Sequence, residues 1–232
     1  FKGLTDSATQ QLDIINYSFA QISSGKLYIS GSMDTEKILS YREKGVRIVL
    51  AIGGWASGGF STAMRTESSR KVLIDSIMEA LKKYQFDGID IDLEQSSVQF
   101  ESGNDKDINN PTSPKVVNMI KAIRTICDSY GNDFILSWAP ETFYVQLGYS
   151  FYGGINQYCD TRAGVYLPMI NALRDKTSYV HVQLYNSSPI TGLDGTSYNM
   201  GTKEGIVAMC EMLLKGFHVG AYYTNSTDES TY

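Results

Sequence analysis

The chain contains 232 residues, of which 42% are hydrophobic and 19% charged, a composition that suits a globular protein with a sizeable core. Its 20 basic and 25 acidic side chains give a net charge of −5, and no basic run stands out, which argues against nucleic acid as the main partner. No apolar stretch reaches the roughly 18 residues of a membrane-spanning helix, so the sequence predicts no membrane span.

Short apolar runs alternate with segments of helical periodicity along the chain. The predicted strands are 12–20, 46–52, 86–93, 134–139 and 180–184. The predicted helices are 35–44, 68–84, 113–130, 164–174 and 203–215, and 217–224 is predicted to be a loop. Strands that alternate with longer helices are typical of right-handed βαβ units, so this order predicts an α/β fold with a parallel sheet.

The spacing of the strands limits how many such units the chain can hold. The predicted strands begin about 42 residues apart, so the eight units of a closed (β/α)8 barrel would need roughly 340 residues at this spacing. The 232 residues of the chain therefore hold only about five or six such units. The sequence therefore predicts either an open α/β sheet or part of a barrel. In both cases the strands at 12–20 and 180–184 are expected to be the two lateral edges of the sheet.

The segment 86–94 (FDGIDIDLE) alternates acidic and apolar residues. Because successive side chains of a strand point to opposite faces, Asp90, Asp92 and Glu94 share one face and the apolar residues share the other. Three carboxylates at this spacing cannot all ionise in a partly desolvated site, so one is expected to keep a proton near neutral pH, as a general acid requires. A magnesium cluster and a solvated acidic edge are alternatives, whereas the interleaved apolar residues disfavour a calcium loop.

The cysteines give no sign of a metal or disulfide site. Cys127, Cys159 and Cys210 are widely spaced and odd in number, and they form neither a metal-binding pattern nor a disulfide framework. No metal or cofactor is predicted.

Several motifs occur in the order in which they occur in glycoside hydrolase family 18, the chitinase family. DGIDIDLE at 87–94 resembles the D-x-x-D-x-D-x-E signature of that family. The other matching stretches are INYSFA at 15–20, AIGGW at 51–55, SWAPE at 137–141 and QLYN at 183–186. The resemblance implies a TIM barrel, here a partial one that covers about strands two to six. It also implies that 1–232 is a single catalytic domain, incomplete at both ends.

The resemblance also implies roles for the acidic residues. Glu94 would protonate the glycosidic oxygen, Asp92 would orient the substrate's acetamido group, Asp90 would tune Asp92, and Tyr185 would donate to the acetamido oxygen. The nucleophile would be the acetamido carbonyl itself, so no enzyme nucleophile is needed. The motif residues expected to be structural are Asp87, Gly88, Gly53 and Gly54.

A second group of residues is expected to line the sugar subsites. The candidates are Trp138, Gln183, Asn186, Trp55, Tyr17, Phe19, Glu141 and Tyr144. Core packing is the alternative for Trp138. A satisfied polar layer inside the barrel is the alternative for Gln183 and for His181, which is therefore left out of the catalytic set. Ala51 stands where the family has Ser, and the lost hydroxyl near Asp90 is expected to shift the pH optimum.

These observations lead to an expected activity. The resemblance implies endo-acting, chitinase-like hydrolysis of β-1,4-linked N-acetylglucosamine polymers with retention of configuration. An endo-β-N-acetylglucosaminidase acting on N-glycans and a non-catalytic chitin-binding fragment are alternatives, and the presence of Glu94 argues against the binder. The expected partner is chitin or its oligosaccharides, with accessory chitin-binding or partner domains outside this segment. An insoluble substrate implies secretion, although no targeting signal is visible.

Overall fold

The computed structural model describes residues 6–9, 11–31, 33–55, 58–101, 105, 107–145, 160–185 and 187–217. The strands in these ranges are β1 (Ile14–Ser23), β2 (Lys26–Ile29), β3 (Arg47–Gly54), β4 (Gly88–Leu93), β5 (Ile135–Trp138), β6 (Thr177–Val180), β7 (Ile190–Thr191) and β8 (Ser197–Tyr198). The helices are α1 (Asp6–Thr9), α2 (Thr35–Glu43), α3 (Gly59–Ala63), α4 (Glu67–Tyr84), α5 (Pro114–Tyr130), α6 (Tyr166–Ala172) and α7 (Lys203–Lys215). Two 3-10 turns cover Gln95–Ser97 and Thr142–Tyr144.

The main sheet has the strand order β2-β1-β3-β4-β5-β6. β1, β3, β4, β5 and β6 pair with one another in parallel in this order, and helices connect the last four of these strands. This is the arrangement of consecutive βα units of an α/β barrel, which confirms the predicted fold class. The five predicted helices are confirmed with small shifts at their ends.

One predicted edge of the sheet is wrong. β2 pairs antiparallel with the second half of β1, from Ala20 to Ser23, so β1 does not form the lateral edge along its whole length. The two strands are joined at Ser24 and Gly25, which both have positive φ, as a tight hairpin turn of the right-handed sheet requires. The other predicted edge is confirmed among the described strands, where β6 pairs only with β5.

The predicted strand 180–184 is also wrong, because β6 ends at Val180. Beyond it the chain still runs beside the end of β5, since the His181 and Gln183 amides donate to the carbonyls of Trp138 and Pro140. Pro140 has no N–H to return a hydrogen bond, so a regular ladder cannot continue there. His181 and Gln183 are therefore placed by backbone contacts outside a named strand.

The core lies between the sheet and its helices. Ile89, Ile91 and Leu93 are at most 3% exposed and pack in one apolar cluster with the buried faces of α4 and α5. Burying such a side chain contributes roughly 1.5–3 kcal/mol. Because this face of β4 is fixed against the helices, the acidic side chains point to the opposite face.

The start of β4 is held by Asp87. Its Oδ2 accepts a hydrogen bond from the Ile48 amide at 2.8 Å, and its Oδ1 lies 3.1 Å from Arg42 Nη1 and 3.5 Å from Arg47 Nε. These contacts tie β4 to β3 and α2, which is a structural role. Among the described helices, none is long and apolar enough to cross a membrane.

Candidate active site

The acidic face of β4 forms the centre of the site. Asp90 is 2% exposed, Asp92 6% and Glu94 9%, and Glu94 follows directly after the carboxyl end of the strand. Carboxylates buried to this degree require hydrogen-bond partners. These partners come from β5 and from the segment that follows β6.

Two glycines allow the neighbouring strands to approach this acidic strand. A Cβ added at Gly53 would lie 1.9 Å from the Asp92 carbonyl oxygen, and one at Gly88 would lie 2.2 Å from the Ile135 carbonyl oxygen. Gly53 also has a φ of +127°, which side-chain-bearing residues rarely adopt. The glycine of the AIGGW stretch is therefore required by close contact with the backbone of Asp92.

Asp90 has two side-chain partners. Its Oδ1 accepts a hydrogen bond from Ser137 Oγ at 2.6 Å and lies 2.7 Å from His181 Nε2. The hydrogen bond to Asp90 raises the pKa of His181 above its ordinary value, and burial opposes that rise. On the other side Asp90 pairs in register with Ala51 of β3, which offers only a methyl group.

Asp92 and Glu94 share Gln183 as a partner. Gln183 Nε2 lies 2.9 Å from Asp92 Oδ1, 3.2 Å from Glu94 Oε1 and 3.1 Å from the Ala139 carbonyl oxygen. Burial raises the pKa of Asp92 to about 7, and the negative charges of Glu94 and Asp90 add to the rise. The raised pKa favours the protonated form of Asp92 near neutral pH.

Two stacked tyrosines hold the backbone on either side of Glu94. The Leu93 amide donates to Tyr166 Oη at 2.6 Å, and that hydroxyl donates to the Leu93 carbonyl at 3.0 Å. The Gln95 amide donates to Tyr144 Oη at 2.9 Å. The two rings are nearly parallel, with centroids 5.8 Å apart. The peptides before and after Glu94 are thus anchored from the helix side of the sheet.

A cleft of about 240 Å³ opens over Asp90 and Asp92. It is lined by Asn16, Ser18, Phe19, Ala51, Asp90, Asp92, Ala139, His181, Val182, Gln183 and Tyr185. Tyr185 is 60% exposed, and its pKa is raised by burial first and then by the charges of Asp92 and Glu94. Its side chain therefore lies near the acids and remains accessible to a ligand.

The structure places three of the expected sugar contacts in the core instead. Trp138 is fully buried, its ring packs edge-on against Tyr166, and its Nε1 donates to Thr177 Oγ1 at 2.9 Å. Because Ser137 points to the acids, the next residue on the strand must point to the helices, so core packing is the correct reading of Trp138. Tyr144 is 1% exposed, and Tyr17 packs against the core beside Phe86.

The remaining expected contacts have different positions. Gln183 lies in the cleft, although its amide nitrogen is already used by the carboxylates. Trp55 is 75% exposed and is not part of the lining of the cleft. Glu141 is half-buried near Glu94, whose charge adds to the effect of burial in raising the pKa of Glu141. Asn186 and Cys159 lie outside the described residues.

Sequence reasoning missed two residues of the site, Ser137 and Tyr166. The alternation of side chains along β5 could have placed Ser137 beside the acids. His181, which the sequence places in a polar layer and outside the catalytic set, contacts Asp90. Tyr166 comes from α6, and no sequence signal connects it to Glu94. Within the ranges given above, no group of three His, Cys, Asp or Glu residues is placed to hold a metal ion.

Comparisons with known proteins agree with this geometry. The family model described as Glycosyl hydrolases family 18 matches residues 2–206. A probable class II chitinase of Arthroderma benhamiae is 40% identical over 230 residues, which cover 93% of this chain and 67% of that protein. Exochitinase 1 of Streptomyces olivaceoviridis is 42% identical over 182 residues, or 78% of this chain and 30% of the relative.

A solved structure gives the same picture. A family GH18 chitinase from Chromobacterium violaceum superposes with a TM-score of 0.72 at 28% identity, over 90% of this chain and 54% of that one. The chain thus spans about half of that structure and less than a third of the Streptomyces relative.

Proposed function

Since the chain belongs to glycosyl hydrolases family 18, we propose that it hydrolyses β-1,4-linked N-acetylglucosamine polymers with Glu94 as the general acid. The observation that carries the proposal is the row of three buried acids, Asp90, Asp92 and Glu94, on the face of β4 that borders an open cleft. A row of carboxyl groups of this kind can supply a general acid to a leaving group. The relatives named above as chitinases support the choice of substrate.

The mechanism that the family resemblance implies assigns a separate role to each acid of the β4 segment. Glu94, at the end of the strand, donates a proton to the glycosidic oxygen as the bond to the anomeric carbon breaks. The acetamido carbonyl oxygen of the same sugar forms the new bond to that carbon, and water later opens the resulting ring. Asp92 takes the acetamido N–H as a hydrogen-bond donor, which turns the carbonyl towards the anomeric carbon.

The other side chains of the site position the acetamido group or hold the acidic side chains in place. Tyr185, exposed at the cleft, donates to the acetamido oxygen and holds it in the attacking position. Gln183 orients Asp92 and Glu94 through its amide rather than binding a sugar hydroxyl. Ser137 and His181 hold Asp90, whose negative charge adds to the rise in the pKa of Asp92.

The decisive experiment replaces Glu94 with Gln, which keeps the shape and removes the acid. We expect turnover of a chromogenic chitooligosaccharide to fall by roughly 10²–10⁴-fold, the usual contribution of acid–base catalysis. Glu79→Gln is the matched control, because Glu79 is an exposed acid on α4 and should leave turnover unchanged. Near-normal turnover by Glu94→Gln would remove Glu94 from the mechanism.

We further propose that the enzyme cuts within the polymer. The support is the exposure of Tyr185 at the cleft, which leaves that side chain accessible to a polymer chain. An endo-acting enzyme releases oligosaccharides of mixed length early and lowers the viscosity of soluble chitin quickly. Release of one short product from the first minutes, with little change in viscosity, would instead assign exo action, as in the relative named exochitinase.

We also propose an alternative substrate and a location for the enzyme. N-glycans are the alternative substrate, and hydrolysis of a chitobiose core at a rate above that of chitin oligomers would favour them. A polymeric substrate outside the cell requires a secreted enzyme, which fractionation of the source culture would test. Binding without turnover would favour the chitin-binding alternative.

A further inference from the structure

Asp90 needs a strong partner that its strand neighbours do not fully provide. Its side chain is 3% exposed, so its charge has almost no access to water. In register, Ala51 lies on one side of it and Ser137 on the other, so the strands offer one methyl group and one hydroxyl. A buried carboxylate with so little support is costly unless a further charged or polar group reaches it.

His181 reaches it from beyond β6. Its Nε2 lies 2.7 Å from Asp90 Oδ1, a length typical of a charge-assisted hydrogen bond. Its backbone amide is fixed on the Trp138 carbonyl at 2.8 Å, and its ring lies against Tyr179 with centroids 5.5 Å apart. The side chain is 43% exposed on the cleft, so it exchanges protons with solvent while Asp90 does not.

The charges around His181 favour its protonated form. Asp90 and Asp92 of β4 both raise the pKa of the imidazole, Asp90 the more strongly, and burial opposes them. The other groups around it are Ser137 of β5, Asn16 and Ser18 of β1, Tyr179 of β6 and Tyr185, and none of them carries a permanent charge. Glu94 lies farther along the same acidic face. The protonated form of His181 thus places a positive charge against the acids of the described cleft.

We propose that His181 is a positioning residue that supplies Asp90 with the hydrogen bond and charge that Ala51 cannot give, and that its charge sets the alkaline limit of activity. The inference rests on the proposed function and deepens it. The hydrogen bond holds the Asp90 carboxyl group in place beside Asp92. A positive charge on His181 also favours the ionised form of Asp92, so it limits how far into the alkaline range Asp92 keeps its proton.

The first test needs no substrate. The sequence contains only two histidines, so imidazole signals in an NMR titration are few, and the signal lost in His181→Gln identifies His181. We expect the His181 pKa to lie above the ordinary value of about 6.5 and to fall in Asp90→Asn, which lacks the negative charge. The same titration curve in both proteins would overturn the pairing.

The second test separates the hydrogen bond from the charge through kinetics of the purified full chain. His181→Gln keeps a donor but no charge, so kcat should stay within about threefold while the alkaline limb of kcat/KM moves to higher pH. His181→Leu removes both, and kcat should fall at least about tenfold with KM little changed, as expected for one lost charge-assisted hydrogen bond. Adding Ala51→Ser to His181→Leu places a hydroxyl beside Asp90 and should restore part of kcat.

Tyr179→Phe is the matched control, because it keeps the ring beside His181 and removes no hydrogen bond to Asp90. An unshifted alkaline limb in His181→Gln, or an equal loss in His181→Leu with and without Ala51→Ser, would contradict the inference. The two proposals fail separately. Full activity of Glu94→Gln with an intact His181 titration rejects only the proposed acid, whereas inactive Glu94→Gln with unaffected His181 variants rejects only the role of His181.

Discussion

Replacing Asp92 with Asn tests whether ionisation of the buried Asp92 side chain lowers the stability of the folded protein. The Asp92 pKa is raised from 3.8 to about 7, so the native state binds this proton more tightly than the unfolded chain does. For a group of this kind, the stabilisation is complete below about pH 4 and is lost as the pH rises through about 7. Asn cannot ionise, so it escapes that loss. It still accepts from Gln183 and can donate to Glu94.

The size of the effect follows from the shift. A rise from 3.8 to about 7 corresponds to about 4 kcal/mol, and water in the open cleft screens the charges and lowers the expected effect to about 2 kcal/mol. We therefore expect Asp92→Asn to unfold at higher urea concentration than the parent at pH 8, with Tm raised by roughly 4–8 °C. At pH 4 the two proteins should be equally stable.

The assay is urea unfolding of both proteins at pH 4 and pH 8, with the slope m required to stay constant. Activity is measured in parallel, because the variant lacks the carboxylate that is proposed to orient the acetamido group and should lose turnover while gaining stability. A variant that is less stable than the parent at pH 8, or a difference that does not depend on pH, would refute the reasoning. Asp75→Asn, at an exposed position on α4, controls for a general effect of removing one charge.

Three further predictions concern the support of the site and the substrate. Tyr166→Phe leaves the buried Leu93 amide without its acceptor, so it should lower the free energy of unfolding by about 1–3 kcal/mol in urea denaturation and reduce kcat. Gly53→Ala should prevent the chain from folding normally, seen as loss of the cooperative transition, because its Cβ would lie 1.9 Å from the Asp92 carbonyl, whereas Gly45→Ala, where a Cβ meets nothing within 4 Å, should cost much less. Plain β-1,4-glucan, which lacks the acetamido group, should not be cleaved, and efficient cleavage would point to an enzyme nucleophile.

The acidic face could be predicted from sequence because alternation along a strand is a local property. Asp90, Asp92 and Glu94 alternate with apolar residues, and one strand suffices to sort them. The same rule applied to β5 would have placed Ser137 in the site and Trp138 in the core. The motif resemblance favoured Trp138 as a sugar contact, and the residue is instead packed against Tyr166.

Contacts between distant elements could not be predicted in the same way. Tyr166 lies 73 residues after Leu93, and only the docking of α6 brings them together. The end of β6 at Val180 depends on Pro140 in a neighbouring segment, which a reading of 180–184 alone does not include. The β2 hairpin carried a local signal in Ser24 and Gly25, but its four residues are too short for a clear apolar pattern.

β2 pairs with only the second half of β1, so this edge of the sheet is covered along part of its length. Ala20 to Ser23 are covered by the hairpin, whereas the described residues 14–19 have no strand on that side. A stretch of strand edge that is already paired cannot pair with a further strand. The hairpin therefore closes the stretch from Ala20 to Ser23 to any other strand, and it limits the registers in which a further strand can lie beside β1.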